Sequence, residues 1–389
     1  MQTATGRLLE SLVRHGSMTR AEATLDTQLA RSAVGVAAAE LARLGLINIL
    51  PAATRSGVAG RPSPHLELRP GGAHVIAVDV RADSIELAAI DLAGNILHQE
   101  RYEMAVREHL PREALLEIAD AIKKTIAQTA HLSPLCGIGL AIPGIMTQDS
   151  AIARTVLSLN WHNVPIRSVI EETLGRQVPI TVGHDATLGA LAEYLRGAGR
   201  GAKRLLYLTS QPNGVGSAMI SRHKRLNSRG DHTLQAGHLN VNPLGAECAC
   251  GSRGCLEIYV NGRALSRSLG MRRTGSPDKI RQRLMMLGPG DLAKFQTSDC
   301  MGALRIGLVS LINTLAPDRV VLAGALAPIG EFLPSLLGEV LAMSVVAAVE
   351  PVELVPAALD QDVLIGAAEQ AFEELKLDPV RVLGGKIAP

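Results

Sequence analysis

Residues 248–257 read Cys248-Ala249-Cys250-Gly251-Ser252-Arg253-Gly254-Cys255-Leu256-Glu257, and His238 lies ten residues before the first cysteine. Together they give the spacing H-x9-C-x-C-x4-C, in which two glycines permit a tight turn between the cysteines. Three thiolates and one imidazole suit tetrahedral zinc, and four protein ligands leave no position open for an activated water. We therefore expect one structural Zn²⁺, held by His238, Cys248, Cys250 and Cys255. The alternative is that the cysteines are structural and bind no metal, but this alternative does not explain why three thiols lie within eight residues.

Composition sets the class of protein. The 389 residues are 47% hydrophobic and 20% charged, which predicts a globular chain of two or three domains. Aromatic residues amount to only 2%, so stacking platforms for single-stranded nucleic acid are not expected. No stretch approaches the roughly 20 uncharged apolar residues that span a bilayer, and the first residues lack an apolar signal core. We expect a cytoplasmic protein without a membrane partner.

The N-terminal segment predicts three short helices followed by a β-hairpin. Gly16 ends the first helix, and Thr19 with Glu22 three residues later forms the capping-box pattern that begins the second. A Gly/Pro-rich stretch separates the two strands and forms the tip of the hairpin. The first and third helices and the two strands are predicted at residues 4–15, 31–44, 46–50 and 65–68.

This order is that of a winged helix-turn-helix, so residues 1–70 are predicted to be a DNA-binding domain. They contain eight arginines, no lysine and five acidic residues, a local charge of +3. The wing arginines are expected in the minor groove and the second helix of the motif in the major groove. The residues expected near bases or backbone are Thr19, Arg20, Arg31, Ser32, Ala33, Gly35, Arg55 and Arg61. A three-helix interaction module is the alternative.

Residues 71–389 are predicted to form an α/β domain with two lobes. Three apolar strands near residues 75–100 precede a helix near 111–130, and two further strands near 136–142 and 180–182 enclose a second helix. The order starts again with a helix near 186–199 and a strand at 204–209. This duplicated order resembles the actin-like ATPase (ribonuclease H-like) fold of sugar kinases.

The cysteine stretch also carries a resemblance to a family. Gly237-His238 and Cys248 to Glu257 are close to the G-H and C-x-C-G-x-x-G-C-L-E signature of the ROK family of repressors, open reading frames and sugar kinases. The N-terminal winged helix with its Gly60-Arg61-Pro62 wing is similar to the family's repressor branch. The resemblance covers residues 1–375.

Two loops distinguish a repressor from a kinase. ROK kinases have D-x-G-G-T in the first hairpin, so that backbone N–H groups approach the ATP phosphates, whereas this chain has Asp79-Val80-Arg81-Ala82-Asp83-Ser84. The second phosphate loop of the kinases has the pattern G-T-G-x-G-G-G, which contains five glycines. The corresponding segment here, Gln211–Ser217, keeps only two of those five glycines. We expect ATP binding to be lost and the protein not to be an enzyme.

The resemblance also implies a sugar pocket. Asp185, His238 and Glu257 match the family's sugar contacts, whereas Ser158 and His184 stand where the family has Asn, and Gln235 stands where it has Glu. These three changes predict a ligand other than an ordinary neutral hexose. A pocket that no longer binds any ligand is the alternative.

We therefore predict a sugar-responsive DNA-binding repressor without kinase activity. Its expected partners are a double-stranded DNA operator and a small sugar or sugar derivative, and it is expected to form a homodimer or homotetramer. A ROK sugar kinase with an extra N-terminal domain, and a regulator controlled by a protein partner, are the alternatives.

Overall fold

The computed structural model describes residues 2–51, 63–147, 151–175, 178–221, 224–225 and 234–384. The predicted wing residues Arg55 and Arg61 lie outside these ranges. The chain divides into two compact units. Unit 1 comprises Met1–Ala141, Ile166–Gly183 and Ala367–Pro389, and unit 2 comprises Ile142–Pro165 and His184–Gly366. The domain boundary at residue 70 stays a prediction.

The first segment of unit 1 contains the three predicted helices and one strand more than predicted. Its elements are α1 (Ala4–His15), β1 (Ser17–Thr19), α2 (Arg20–Thr27), α3 (Arg31–Arg43), β2 (Ile47–Leu50) and β3 (His65–Leu68). The capping box at Thr19 is present, with Glu22 bonded back to the Thr19 backbone. The strand order β1-β3-β2 adds β1 to the predicted hairpin.

The C-terminal helices of unit 1 pack on α1. The Thr3 backbone N–H donates to the Leu377 carbonyl at 3.0 Å, and Gln2 donates to the Lys376 carbonyl at 3.1 Å. Gly6 permits this approach, because a Cβ at that position would overlap these carbonyl oxygens. The segment around Thr3 and the segment around Leu377 therefore meet within unit 1.

A five-stranded sheet forms the centre of unit 1. The elements that follow the first segment are β4 (His74–Val80), β5 (Ser84–Asp91), β6 (Ile96–Glu103), α4 (Pro111–Thr129), β7 (Leu135–Ile142), β8 (Ile145–Met146), β9 (Ala153–Val156), β10 (Trp161–Val164), α5 (Ile166–Leu174) and β11 (Ile180–His184). The sheet order is β11-β7-β4-β5-β6, and every residue of β4 and β5 is buried. Strands β8 to β10 belong to unit 2 and form a small separate sheet, which the sequence did not predict.

Unit 2 contains the second five-stranded sheet, whereas the residues from Ala367 onwards belong to unit 1. The remaining elements are α6 (Asp185–Arg196), β12 (Arg204–Gln211), β13 (Gly214–Ser221), β14 (Lys224–Arg225), α7 (Leu256–Val260), α8 (Gly262–Ser268), α9 (Pro277–Met285), α10 (Pro289–Gln296), α11 (Asp299–Leu315), β15 (Arg319–Gly324), α12 (Ala327–Phe332), α13 (Pro334–Ala342), β16 (Glu353–Pro356), α14 (Asp362–Ala371), α15 (Glu373–Leu377) and α16 (Pro379–Leu383).

The two sheets share one strand order, which confirms the predicted repeat. In each, the first strand is central, two antiparallel strands follow on one side, and the last two lie on the other side. The second sheet has the order β14-β13-β12-β15-β16. Among the described residues, no helix combines the length and the apolar character needed to cross a membrane.

Candidate functional site

The four predicted metal ligands meet in one loop of unit 2. The ligand atoms of His238, Cys248, Cys250 and Cys255 all lie within 4.8 Å of one another. The Cys248 Sγ is 3.6 Å from His238 Nδ1, and Cys250 Sγ is 3.7 Å from Cys255 Sγ. Ligands of a tetrahedral ion with metal–sulfur bonds of about 2.3 Å stand about 3.8 Å apart. The cluster therefore has the dimensions of a metal site.

Backbone geometry forms this loop. Gly251 and Gly254 have φ of +89° and +63°, which favour glycine over residues with a Cβ. Gly254 also lies so close to the Asn242 carbonyl that a Cβ would overlap it. The Cys248 N–H donates to the Ser252 carbonyl at 2.8 Å and closes the turn between the cysteines. Burial raises the pKa of the Cys248 thiol, so a metal ion must displace its proton on binding.

Three of the predicted sugar contacts lie near the start of β13. A Cβ on Gly214 would lie 3.6 Å from Glu257 Oε2, and one on Gly216 would lie 2.8 Å from the Ala186 Cβ, next to Asp185. Gly237, which precedes His238, approaches the Val215 carbonyl in the same way. Asp185, His238 and Glu257 therefore surround one short stretch of strand. Gly216 and Gly237 make this approach possible, because a Cβ at either position would overlap its neighbour, whereas a Cβ on Gly214 would make only an ordinary contact.

Asp185 begins helix α6, and His184 caps it. The Asp185 Oδ1 accepts a 2.6 Å hydrogen bond from the Ala186 N–H, and its negative charge in the first turn is favoured by the helix dipole. His184 Nε2 is 3.4 Å from Asp185 Oδ1. The buried His184 Nδ1 has no hydrogen-bond partner among the described residues. Burial lowers the pKa of His184, so the ring is neutral and can accept or donate one hydrogen bond.

The other two predicted sugar contacts are less closely tied to this group. Gln235 directly precedes Ala236, whose N–H donates to Ser217 Oγ of β13 at 3.0 Å. Ser158 is half-buried in the turn between β9 and β10. No hydrogen bond within the described part of the chain joins Ser158 to the other five. Its role as a ligand contact rests on the sequence resemblance.

The first hairpin of unit 1, at residues 79–84, has an ion pair where the kinases have glycines. Arg81 Nε and Nη2 both lie 2.7 Å from Asp79 Oδ2, and Arg81 Nη2 lies 3.8 Å from Glu86. None of the residues 80–84 has a positive φ. The turn is closed by the Arg81 N–H bonding to the Ser84 carbonyl at 2.9 Å, so this donor is already used.

The hairpin between β12 and β13 in unit 2 is in contact with the start of helix α8. Pro212 has no N–H group to offer a phosphate. Its carbonyl accepts a 3.3 Å hydrogen bond from the Arg263 N–H, and a Cβ on Gly262 would stand 3.2 Å from the Pro212 Cα. The start of α8 therefore packs directly against this turn.

Helix α3 presents part of the predicted DNA-contacting set to solvent. Arg31 and Ser32 are exposed, whereas Ala33 and Gly35 are half-buried. Thr19 and Arg20 are also half-buried, and Arg20 Nη2 lies 3.4 Å from where a Gly35 Cβ would be. Val36, which the predicted set does not include, is 73% exposed. Its spacing of four residues from Ser32 was the signal that placed it on the same face.

Two similar sheets and a His/Cys₃ loop define a mixed α/β protein with a candidate metal centre. A model of the ROK family matches residues 75–373, so the chain belongs to the ROK family. The xylose repressor of Bacillus subtilis (strain 168) is 26% identical over 322 residues, covering 82% of this chain and 81% of the repressor.

Both branches of the family are represented among the relatives. The glucokinase of Halalkalibacterium halodurans is 28% identical over 281 residues, covering 66% of this chain and 82% of the kinase. A crystal structure of a ROK family transcriptional regulator, described as a homolog of the E. coli MLC protein, has a TM-score of 0.78. That similarity covers 98% of both chains at 20% sequence identity, and it shows the common fold.

Proposed function

We propose that this protein is a sugar-responsive transcriptional repressor without kinase activity. The observation that carries the proposal is the extent of the structural similarity. The family match begins at residue 75, yet the regulator structure covers 98% of this chain, including its N-terminal helices. The fold of the regulator therefore extends over nearly the whole chain, whereas the ROK hexokinase and glucokinase structures cover 78% and 77% of it.

In this proposal, residues 1–70 form the winged helix-turn-helix. The capping box at Thr19 fixes the start of α2, and α3 exposes Arg31 and Ser32 at its N-terminal end. The N-cap Ala30 gives no side-chain hydrogen bond, so the first N–H groups of α3 stay available to a phosphate. Thr19, Arg20, Ala33 and Gly35 support or adjoin this face. The wing residues Arg55 and Arg61 are proposed minor-groove contacts.

The effector site is the group around β13. Asp185 and Glu257 would accept hydrogen bonds from sugar hydroxyls, and His184 Nδ1 offers a buried partner that is still unused. Gln235 adds an amide that both donates and accepts, and Ser158 adds a hydroxyl. His238 Nδ1 faces the cysteines, so its other ring nitrogen is free to orient towards ligand.

The His/Cys₃ cluster is proposed to hold one structural Zn²⁺. The observed spacings of its ligand atoms suit a tetrahedral ion, and the set of three thiolates and one imidazole is typical of zinc. The ion would fix residues 238–255, which begin with His238 and end directly before α7, the helix that carries Glu257. Zinc is therefore proposed to organise the sugar pocket, and the assembly is proposed to be a homodimer or homotetramer of the two-lobed, actin-like domain.

The glucokinase relative makes a kinase the second candidate. The two hairpins argue against it, because phosphoryl transfer needs backbone donors around the phosphates and compensation of their charge. Here the Asp79 carboxylate is paired with Arg81, Asp83 is exposed in the turn, and Pro212 lacks a donor. The first turn lacks both glycines that let a nucleotide approach the backbone, and the second loop keeps only two of five.

Footprinting tests the proposal. The DNA that adjoins this protein's own coding region would be probed with the full chain, with and without hexoses, N-acetyl hexosamines and pentoses. We expect a protected site whose protection falls when one of these sugars is added. Absence of any protected site on that DNA, together with ATP-dependent sugar phosphorylation, would support the kinase instead.

A further inference from the structure

Val36 is an exposed aliphatic side chain in the middle of α3. It is 73% exposed, although residues such as Val34 and Leu41 on the other face of the helix are fully buried. Ser32 and Arg43 share its face at spacings of four and seven residues, and both are exposed. Glu40, four residues after Val36, is half-buried and is neutralised by an ion pair with Arg43 at 2.6 Å, so among the described residues the unpaired charge near this face is that of Arg31 and Arg20. The centre of this face therefore carries a branched apolar group between polar ends.

The fold gives no reason for valine at this position. An exposed side chain gains nothing from burial, and a β-branched residue is a weaker helix former than alanine, which occupies the adjacent positions 37–39. A single exposed apolar residue is common on protein surfaces. What distinguishes Val36 is its setting, since the neighbouring Gly35 and Ala39 are small and leave its methyl groups prominent.

The positive charge around this face favours a negatively charged partner. Arg31 stands exposed at the N-terminal end of α3, and the first turn of the helix contains no acidic residue. Arg20 reaches across from α2 and places Nη2 next to Gly35. The whole N-terminal segment carries eight arginines against five acidic residues. This surface is complementary to a polyanion, and within the DNA major groove the apolar group available to a valine is the C5-methyl of thymine.

We propose that Val36 contacts the C5-methyl group of a thymine and thereby selects an A·T pair in each half of the operator. The proposal rests on the proposed function, and it adds one specificity-determining residue to it. The small side chain of Ala39 lets the helix approach the bases, and Arg31 at its N-terminal end and Arg20 beside Gly35 are placed to hold it to the phosphates.

The test removes the methyl group from the DNA and from the protein separately. Duplexes bound by the full-length chain are first selected from a random pool, and each thymine of the enriched site is then replaced by deoxyuridine, which lacks only the C5-methyl. Dissociation constants are measured by fluorescence anisotropy at one salt concentration for wild type, Val36→Ala, Val36→Thr and Leu25→Ala. Leu25 is the matched control, an aliphatic residue of α2 that is 80% exposed.

For wild type, we expect replacement of a single contacted thymine to weaken binding about fourfold, which corresponds to the free energy of burying one methyl-sized group. Val36→Ala should be insensitive to that replacement, Val36→Thr should keep part of the sensitivity through its remaining methyl group, and Leu25→Ala should behave as wild type. Wild-type binding that ignores every thymine methyl, or the same sensitivity in Val36→Ala, would overturn the proposal.

Two further outcomes separate this inference from the proposed function. Enrichment of no DNA by the wild-type chain would overturn both. A specific site whose thymine sensitivity is unchanged in Val36→Ala, with a changed molecular mass of that variant by light scattering, would assign Val36 to contact with a second copy of the chain and overturn the thymine contact alone.

Discussion

The thiol of Cys248 donates a 3.1 Å hydrogen bond to Glu257 Oε1 and so joins the candidate metal cluster to the candidate sugar pocket. The same carboxylate oxygen lies 3.6 Å from His238 Nδ1. Cys255 caps α7, and Glu257 is the second residue of that helix. A metal ion that displaces the Cys248 proton would remove this hydrogen bond, so metal binding and the position of Glu257 are linked, and this link underlies the first prediction.

Loss of one cysteine should remove both the metal and the sugar response. Cys250→Ser should abolish zinc binding and lower the free energy of unfolding of unit 2, because metal ligation contributes directly to folding. Elemental analysis of freshly purified protein should give one zinc per wild-type chain. Cys136→Ala is the matched control, since Cys136 is a buried cysteine of unit 1 and should leave the zinc content unchanged. Wild-type protein without zinc would contradict this account.

The two glycines of the metal loop should differ in their tolerance of alanine. Both have positive φ, which costs an alanine about 1–2 kcal/mol. A Cβ on Gly251 has no neighbour within 4 Å, whereas one on Gly254 overlaps the Asn242 carbonyl. Gly251→Ala should keep its zinc with modestly reduced stability, and Gly254→Ala should lose zinc. Equal zinc content and equal urea midpoints of the two variants would show that the loop is not fixed by this contact.

DNA affinity should depend on the N-terminal end of α3. Arg31→Ala should cost about 1–3 kcal/mol if the guanidinium pairs with a guanine. A plot of the logarithm of the association constant against the logarithm of the salt concentration should have a negative slope of about 0.9 for each phosphate that the protein neutralises. Arg112→Ala removes an equally exposed arginine from α4 and serves as the control for net charge. Operator affinity that falls equally in both variants would point to general electrostatics instead of a contact by α3.

No phosphoryl transfer should be measurable. Purified protein with ATP, magnesium and a panel of sugars should release no ADP above background, because Asp79 is paired with Arg81 and Pro212 provides no donor. An authentic glucokinase run in parallel verifies the assay. Turnover that depends on both ATP and a sugar would refute the absence of kinase activity.

The sequence predicted those parts of the structure that local patterns specify. Thr19 with Glu22 determined the start of α2, and the spacing of His238 and the cysteines determined the metal loop. Strand β1 was missed because only Met18 of its three residues is buried, too little for a recognisable alternation. The Thr3–Leu377 hydrogen bond joins residues 374 positions apart, which no local pattern encodes.

The residues of the candidate site were predicted where a local sequence motif contains them, but the contacts between distant residues were not. Asp185, His238 and Glu257 were found through motif residues, whereas the β13 glycines that bring them together became visible only in three dimensions. Gly35 was expected to face bases, and the structure instead places the Arg20 guanidinium beside it. Helical position alone could not show that a side chain from α2 occupies this space.

The most direct test of the central claim measures operator affinity against sugar concentration in wild type, Asp185→Ala and Asp291→Ala. Asp291 is an exposed aspartate of α10 in the same unit and serves as the control. We predict that one sugar changes the operator affinity of wild type and Asp291→Ala alike. Asp185→Ala should bind the sugar-free operator nearly as wild type does and should not respond to the sugar. A response to sugar that persists unchanged in Asp185→Ala, or an operator affinity that no sugar alters in wild type, would contradict the account.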